Sequence, residues 1–173
     1  MSEVVFETDR TVVRRWRDTD LADVLRVYGD ADAMRWVDDG KPISQSEAER
    51  WLEVTETNYR LRGYGMFAVE LRGNFNIIGF CGLVHPGGQQ DPEIKYAYSR
   101  VYWGQGIATE VAEGAIRYGE AVHKMDRIIA TTAPENLASH RVLLKAGMQK
   151  GELCQNSDGT RTQYFVWGRC GEA

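Results

Sequence analysis

The spacing of apolar and polar residues changes several times along the chain and divides it into strand-like and helix-like segments. Apolar residues at every second position, or in a short run, are typical of a strand, whereas apolar residues three or four apart are typical of an amphipathic helix. The strand pattern fits seven segments: 7–16, 64–72, 76–85, 93–99, 127–132, 148–154 and 161–167. The helix pattern fits segments 20–28, 44–62, 107–122 and 136–146, and a short segment at 31–36 follows the first of them.

Polar and glycine residues at the segment ends support these boundaries. Asp18 or Asp20 is suited to cap the first helix, and Ser44 with Glu47 three residues later forms the capping-box pattern that opens the second. Gly147 follows the last helix, where a left-handed cap residue is expected. The tripeptides RGN and SDG separate neighbouring strand segments and predict hairpin turns.

In chain order these segments give one strand, helices, three strands, a helix, a strand, a helix and a final hairpin. Three consecutive strands without crossover helices pair most simply as antiparallel neighbours, which excludes the regular alternation of a doubly wound sheet. We therefore predict an α+β fold (α/β in the three-layer sense), with a mixed, twisted sheet of about seven strands and helices on both faces. A chain of 173 residues has the size of one domain, which we expect to span residues 1–173.

Composition narrows the class of protein. The chain is 43% hydrophobic and 27% charged, with 21 basic and 25 acidic residues and a formal net charge of −4. A general nucleic-acid binder normally has a basic excess, so no nucleic acid is predicted as a partner. No apolar run approaches the roughly 18 residues of a membrane span, and the acidic N-terminal segment does not fit a secretory signal. We expect a cytoplasmic protein without a membrane partner.

The cysteines and histidines predict neither a disulfide framework nor a metal site. The three cysteines, Cys81, Cys154 and Cys170, are odd in number and form no CxxC pair. The three histidines lack metal-ligand spacing with one another or with cysteine. No metal is therefore expected among the cofactors.

The stretch VYWGQGIATE at residues 101–110 places Gly104 and Gly106 at the start of a predicted helix. A Walker phosphate loop requires a lysine after its glycines, and this stretch has none. A dinucleotide-binding GxGxxG loop requires a third glycine where Thr109 stands, so the match to it is partial. The stretch is otherwise a plain turn before a helix, or a loop whose free first-turn amides bind a pyrophosphate with help from the helix dipole.

A second block, ENLASHRVLLKAGM at residues 135–148, follows the glycine stretch by about thirty residues. Together, YWGQGIATE and this block resemble the GNAT superfamily of N-acetyltransferases, in particular the branch that acetylates the N-termini of ribosomal proteins and also includes antibiotic-modifying relatives. The superfamily's coenzyme A loop reads Gln/Arg-x-x-Gly-x-Gly/Ala, and Gly104 and Gly106 occupy its glycine positions. The resemblance spans nearly the whole chain, from the opening strand through Trp36 and the helix at Ser44 to both blocks.

The resemblance implies a GNAT fold whose sheet splays near its middle, where acetyl-CoA enters. It also implies an enzyme that transfers an acetyl group from acetyl-CoA, as co-substrate, directly to a primary amine. That acceptor belongs to a protein N-terminus or to a small molecule, and a monomer or homodimer is expected. Two other functions stay open on the residues themselves: an acyl-CoA-binding sensor without turnover, and a dinucleotide-binding oxidoreductase.

By the same resemblance, cofactor contacts fall on the strand before the glycine stretch, on the stretch itself and on the later helix. The pantetheine arm is expected to run beside that strand like an added strand, with Tyr96 and Tyr98 lending backbone groups while their side chains can equally belong to the core. Asn136 is implied as a contact to the pantetheine amide, although its position alone predicts a helix N-cap. The other implied contacts are Trp103, Gly104, Gln105, Gly106, Ile107, Ala108 and Thr109.

Acetyl transfer needs a deprotonated amine, because an alkyl ammonium titrates at about pH 10 and has no lone pair, and it benefits from a proton donor to the leaving thiolate. The resemblance implies Ser139 as that donor; its position alone suits a solvated or capping serine. Glu93 is a candidate for taking the amine's proton, directly or through water, or else a solvated strand end. His85 is the other candidate base beside the substrate, or else a structural histidine.

The resemblance also implies that the loop with Trp36 and Asp38 borders the acceptor site, and an aromatic ring beside acidic groups suits a cationic amine. A solvated acidic loop explains the same residues equally well. The chain departs from the family pattern at Val101, which stands where the superfamily has glutamine or arginine. That position mainly offers backbone, and Arg100 or Arg141 is a candidate to replace the lost side-chain contact to the phosphates.

Overall fold

The computed structural model describes residues 3–168, so Cys170 and both ends of the predicted 1–173 domain lie outside the described residues. The strands are β1 Val4–Glu7, β2 Thr11–Arg14, β3 Met66–Leu71, β4 Ile77–Val84, β5 Glu93–Tyr98, β6 Arg127–Thr132, β7 Gln149–Gln155 and β8 Arg161–Gly168. The α-helices are α1 Leu21–Tyr28, α2 Ala31–Met34, α3 Gln45–Arg62, α4 Ile107–His123 and α5 Leu137–Lys145. The strands form one mixed sheet in the order β1-β2-β3-β4-β5-β6-β8-β7, which confirms the predicted α+β class.

The first predicted strand, 7–16, is wrong as a single element, because it begins at the last residue of β1, crosses a tight turn and then covers β2. The Thr8 amide donates to the Thr11 carbonyl at 2.9 Å, and the two hydroxyl oxygens lie 2.6 Å apart, so the threonines close a turn over Asp9 and Arg10. Within residues 3–168 the sheet therefore has eight strands rather than about seven. The turn contains neither glycine nor proline, so the sequence carries no strong turn signal there.

The start of α3 is set by local hydrogen bonds, whereas the residue before α1 takes part in an ion pair. The predicted capping box of α3 is confirmed: the Glu47 amide donates to Ser44 Oγ at 3.3 Å, and the Ser44 amide donates to Glu47 Oε2 at 2.7 Å. The helix ends at Gly63, whose φ of 80° lies in the left-handed region. Asp20, one of the two predicted caps, does occupy the N-cap position of α1, but its carboxylate accepts from the Arg14 guanidinium and not from the helix amides.

Helices cover both faces of the sheet, as predicted. On one face, α1 and α3 enclose an aromatic cluster in which Phe80 of β4 stacks on Tyr28 with ring centroids 4.5 Å apart and contacts Trp51 at 5.4 Å. On the other face, α4 approaches the sheet so closely that a Cβ at Gly119 would lie 2.9 Å from Leu83. Helix α5 packs beside α4. The core therefore forms two layers, one on each side of β4 and β5.

The sheet opens between β5 and β6, the pair of neighbouring strands that run parallel. Among the described residues these strands are in register at Glu93 and Ile129 alone, and the Ile129 amide donates to the Pro92 carbonyl at 2.9 Å. In contrast, β5 is paired with β4 along its whole length. The edge of β5 that faces away from β4 therefore borders a gap in the middle of the sheet.

Candidate active site

A cleft of about 480 Å³ lies at the gap between β5 and β6. Its wall includes both strands, the glycine loop (residues 101–106), the start of α4, one side of α5 and the loop after α2. The predicted site residues in the wall are Trp36, Asp38, Tyr96, Tyr98, Trp103, Gly104, Gly106, Ile107, Ala108, Thr109, Asn136 and Ser139. Glu93, Gln105 and His85 are not part of the wall.

The open edge of β5 offers backbone hydrogen-bonding groups to the cleft. The Ser99 amide donates to the Ile78 carbonyl of β4 at 2.9 Å, whereas the Pro92 carbonyl accepts from β6 on the opposite edge. Because the backbone groups of successive strand residues point to alternate edges, the amide and carbonyl of Tyr96 point into the gap. An extended ligand arm fits there as an added strand.

The glycine loop opens α4 through two residues in the left-handed region. Gly104 and Gly106 have φ of 72° and 79°, and Gly106 is the N-cap residue of the helix. A Cβ at Gly104 would meet no atom within 4 Å, and one at Gly106 would lie 3.6 Å from Arg10 Nη2. The glycines are therefore required by backbone conformation rather than by crowding, and they leave open space. First-turn amides without acceptors inside the helix make this junction fit a pyrophosphate.

Two hydroxyl groups meet where α5 faces β5. The oxygens of Tyr96 and Ser139 lie 2.6 Å apart. The Ser139 amide donates to Asn136 Oδ1 at 3.2 Å, so Asn136 is the N-cap that its position predicts, and its side-chain NH₂ group is not used by the cap. Burial raises the pKa of Tyr96, although its hydrogen bond with Ser139 lowers it, so the phenol keeps its proton at neutral pH.

Tyr98 and Trp103 connect the cleft to the core and to the loop. The Tyr98 side chain is buried, its hydroxyl has no hydrogen-bond partner among the described residues, and burial raises its pKa. Its carbonyl accepts from Trp103 Nε1 at 2.8 Å, which holds the glycine loop against the end of β5. Gln105 turns its side chain away from the cleft and donates to the Val101 carbonyl at 2.8 Å. The Tyr98 side chain therefore belongs to the core, as one of the two interpretations expected.

Glu93 lies at the closed end of the gap, on the face of β5 opposite Tyr96. Its carboxylate is buried and accepts from Thr131 Oγ1 and from Gln89 Nε2 at 3.2 Å. The Lys95 ammonium lies 3.3 Å from the same carboxylate, and Lys95 lines the cleft whereas Glu93 does not. Glu93 is therefore buried and bonded rather than a solvated strand end, and it needs a bridging water to act on a group in the cleft.

His85 is held outside the cleft by its two ring nitrogens. Nδ1 lies 2.9 Å from the Gln89 carbonyl, which can only accept, so Nδ1 carries the proton. Nε2 then accepts from the Tyr64 hydroxyl at 2.8 Å. The structure does not bring His85 to the other site residues, and its bonds fit the structural interpretation.

The loop after α2 brings Trp36 and Asp38 to the cleft. Trp36 is 42% exposed, and the Arg35 guanidinium lies 5.1 Å from its ring centroid. Asp38 has a φ of 47°, a left-handed conformation that aspartate adopts more readily than most residues. The loop therefore presents an aromatic ring and a carboxylate on the same side of the cleft.

The two arginines considered as phosphate contacts are placed differently. Arg100 is bonded to Asp30 at 2.9 Å and to Asp32 at 2.7 Å, and it does not line the cleft. Arg141 does line it, and so does Lys145 one helical turn later. The sequence reasoning missed Lys145, although the four-residue spacing from Arg141 places both on one face of α5 and was the available signal.

The described residues 3–168 contain neither a cluster of metal ligands nor a membrane-spanning helix. No group of three or more histidine, cysteine, aspartate or glutamate side chains in this range is placed to hold a metal ion. No helix in it combines the length and the apolar character needed to cross a bilayer.

A mixed sheet that opens at one parallel strand pair, beside a glycine-started helix, defines the class of GNAT-like acyl-CoA N-acyltransferase folds. The model of the acetyltransferase (GNAT) domain family matches residues 10–149, and the chain belongs to this family of acetyltransferase enzymes. The chain is 27% identical over 143 residues to the uncharacterized N-acetyltransferase YnaD of Bacillus subtilis strain 168, covering 83% of this chain and 81% of that protein. Family membership favours the acetyltransferase over the sensor and the oxidoreductase.

Solved structures confirm the fold. The ribosomal L7/L12 α-N-protein acetyltransferase RimL, in complex with coenzyme A, superposes with a TM-score of 0.81 at 14% identity and covers 96% of this chain and 98% of its own. AAC(6′)-Ib, in complex with paromomycin and acetyl-CoA, has a TM-score of 0.77 at 17% identity and covers 93% of this chain and 94% of its own. At these identities the likeness establishes the GNAT fold.

Proposed function

We propose that the protein binds acetyl-CoA in the cleft and transfers the acetyl group directly to a primary amine. The observation that carries the proposal is the unpaired edge of β5, which leads into the glycine-started N-terminus of α4. The neighbouring folds support it, since RimL is described with coenzyme A and AAC(6′)-Ib with acetyl-CoA. The proposed single domain, 1–173, includes the C-terminal hairpin because β8 pairs with β6 along the strand.

The residues present fit coenzyme A at three places. Amides from Gly104 to Ala108 would hold the pyrophosphate, since the glycines leave their surroundings open. The backbone of Tyr96 would pair with the pantetheine arm, and the side-chain NH₂ of Asn136 is available to a pantetheine carbonyl. Arg141 and Lys145 add positive charge to the cleft wall and would attract the phosphates. Acetyl-CoA, when bound, supplies an activated thioester.

Ser139 is proposed as the proton donor to the leaving thiolate. It lines the cleft and is held from two sides, by the cap bond to Asn136 and by the hydroxyl of Tyr96. As the carbon–sulfur bond breaks, the Ser139 proton passes to the sulfur, so that coenzyme A leaves as a thiol, and the serine oxygen takes a proton from solvent in the cleft. Tyr96 acts through Ser139 by orienting its hydroxyl group.

The acceptor amine is assigned to the loop after α2, and its proton is assigned to Glu93. Trp36 and Asp38 suit a cationic amine, because an aromatic face and a carboxylate both attract positive charge. The proposed base is Glu93, acting through a bridging water because its own side chain does not line the cleft. The acceptor is a protein N-terminus, as named for RimL, or a small amine such as the paromomycin bound to AAC(6′)-Ib.

An acceptor panel tests the function. Purified protein is mixed with acetyl-CoA and, separately, with N-terminal peptides, polyamines and aminoglycosides, and released thiol is measured together with the mass of the acceptor. We expect thiol release that depends on one acceptor class and an equal amount of acetylated product. Tight coenzyme A binding without release for any acceptor would support the sensor instead. Thermal stabilisation by NAD but not by coenzyme A would overturn the proposal.

A further inference from the structure

The turn between β1 and β2 is joined to the glycine loop by Arg10. Its Nη1 donates to the Gln105 carbonyl at 2.8 Å, across 95 residues of sequence. Its Nε and its backbone amide donate to the two carboxylate oxygens of Glu110, at 2.7 and 2.9 Å. Arg10 does not line the cleft, so these bonds hold the loop and the first turn of α4 from outside the cleft wall.

The bond to Gln105 fixes the orientation of the peptide group that carries the Gly106 amide. None of the described peptide bonds is cis, and in a trans peptide the carbonyl and the following amide point in opposite directions. With the Gln105 carbonyl turned toward Arg10, which does not line the cleft, the Gly106 amide points away from Arg10, and Gly106 itself is part of the cleft wall. Because Gly104 and Gly106 flank Gln105, this segment tolerates a peptide flip easily. Arg10 supplies a restraint that the loop lacks.

The bonds to Glu110 remove a charge conflict. Glu110 lies in the first turn of α4, where its negative charge would repel a bound pyrophosphate. Partial burial raises the pKa of Glu110, but bonds from Thr8 and Arg10 outweigh this and lower it, so the group is ionised at neutral pH. The guanidinium of Arg10 neutralises it at 2.7 Å. The positive end of the α4 dipole is then not offset by Glu110 and can attract an anionic ligand.

We propose that Arg10 is a positioning residue for the pyrophosphate-binding loop. It keeps the Gly106 amide directed at the ligand and cancels the charge of Glu110. Arg10 acts through the loop and through Glu110, and it touches no reacting group. The inference rests on the proposed function, because it takes coenzyme A as the ligand of the glycine loop.

Direct binding of coenzyme A tests the proposal without any knowledge of the acceptor. Calorimetry in low salt compares the wild-type protein with Arg10→Met, which keeps the aliphatic stem and removes the guanidinium. We expect the Kd of coenzyme A to rise by about tenfold, which is the scale of one lost charge-assisted interaction. The Kd of 3′-dephospho-coenzyme A should rise by the same factor, because that ligand retains the pyrophosphate.

Arg72→Ala is the matched control. Arg72 also holds the β1–β2 hairpin, through a bond from its Nε to the Thr8 carbonyl at 2.8 Å and an ion pair with Glu7 at 3.4 Å. It makes no contact with the glycine loop among its described bonds, so its loss should leave the Kd of coenzyme A within about twofold of wild type. A comparable weakening in both variants would mean that the hairpin, and not Arg10, matters.

Glu110→Gln separates a positioning role from a merely structural one. On its own it should bind coenzyme A at least as tightly as wild type, because a negative charge near the phosphates is gone. Combined with Arg10→Met, it should recover about threefold of the lost affinity, since the unpaired carboxylate is removed. If the double variant binds no better than Arg10→Met, and Glu110→Gln alone weakens binding, the charge argument is overturned.

The outcomes distinguish this inference from the proposed function. A wild-type protein that binds no coenzyme A contradicts the function itself. A wild type that binds, with Arg10→Met within twofold of it, overturns the role of Arg10 and leaves the function intact. Melting curves identify any variant that fails to fold, and Glu110→Gln then still tests the charge argument, because it preserves the size of the side chain.

Discussion

Tyr96 and Ser139 share a hydrogen bond in which either oxygen can be the donor. A phenol donates more strongly and accepts more weakly than an aliphatic alcohol, so the favoured arrangement has Tyr96 donating to Ser139. The Ser139 hydrogen is then free to point into the cleft, where a thiolate would leave. Because burial raises the pKa of Tyr96, the phenol orients Ser139 without ionising.

Removing each hydroxyl in turn tests this division of roles. With the acceptor found in the panel, Ser139→Ala should lower kcat by about a hundredfold, the scale of lost general-acid catalysis, and leave the Kd of coenzyme A nearly unchanged. Tyr96→Phe should lower kcat by about tenfold, and the double variant should be no slower than Ser139→Ala, because Tyr96 acts through Ser139. Tyr118→Phe, which loses a hydroxyl bonded to His123 outside the cleft, is the control and should retain wild-type kcat.

At the scale of elements, the loop–helix junction depends on two glycines whose conformation, and not crowding, excludes a side chain. Gly104 has a φ of 72° and Gly159, in the β7–β8 turn, has a φ of 85°; neither would place a Cβ within 4 Å of another atom. Replacing either by alanine should therefore cost the same stability, about 1–2 kcal/mol, as the left-handed region does for an L-residue. The two sites differ in that only Gly104 faces the cleft.

Comparing alanine variants of Gly104 and Gly159 distinguishes an effect on coenzyme A binding from an effect on stability. Gly104→Ala should raise the Kd of coenzyme A by about tenfold. The added methyl group, and the shift of the loop as it relieves the strain of alanine at a left-handed φ, should both take up space left for the phosphates. Gly159→Ala should leave that Kd unchanged while lowering the urea midpoint to a similar extent. Equal affinities in the two variants would show that the glycine loop serves only as a turn.

The sequence predicts an element well when its cause lies within a few residues. The Ser44–Glu47 box and the left-handed Gly147, with φ of 93°, are local, and both are confirmed. The fold class follows from the order of such elements. The sequence does not predict contacts that depend on how distant segments align in the fold. The hydrogen bond between Tyr96 and Ser139, which are 43 residues apart, is one such contact. Arg10 is of the same kind, since its partners in the loop and α4 lie 95 and 100 residues away.

At the scale of the whole molecule, one buried arginine connects three elements. The Arg14 side chain is 4% exposed and lies 2.7 Å from Asp20, ahead of α1, and 2.6 Å from Glu70 on β3. Burial alone would lower the pKa of Arg14, but the bonds to Asp20 and Glu70 outweigh it and raise the pKa, so the group stays charged. The same bond explains why the carboxylate of Asp20, the N-cap residue of α1, does not accept from the helix amides.

Breaking this network should destabilise the protein far more than breaking a surface pair. Arg14→Met strands two buried carboxylates and should lower the free energy of unfolding by about 3–5 kcal/mol, measured by urea denaturation at neutral pH. Arg117→Ala, which removes an exposed pair with Glu113 at 3.8 Å, should change it by less than about 0.5 kcal/mol. Adding Asp20→Asn and Glu70→Gln to Arg14→Met removes the stranded charges and should restore part of the loss. The opposite result is a triple variant as unstable as Arg14→Met alone. That result would mean that packing around the arginine stem, rather than its charge, holds β2, β3 and the start of α1 together.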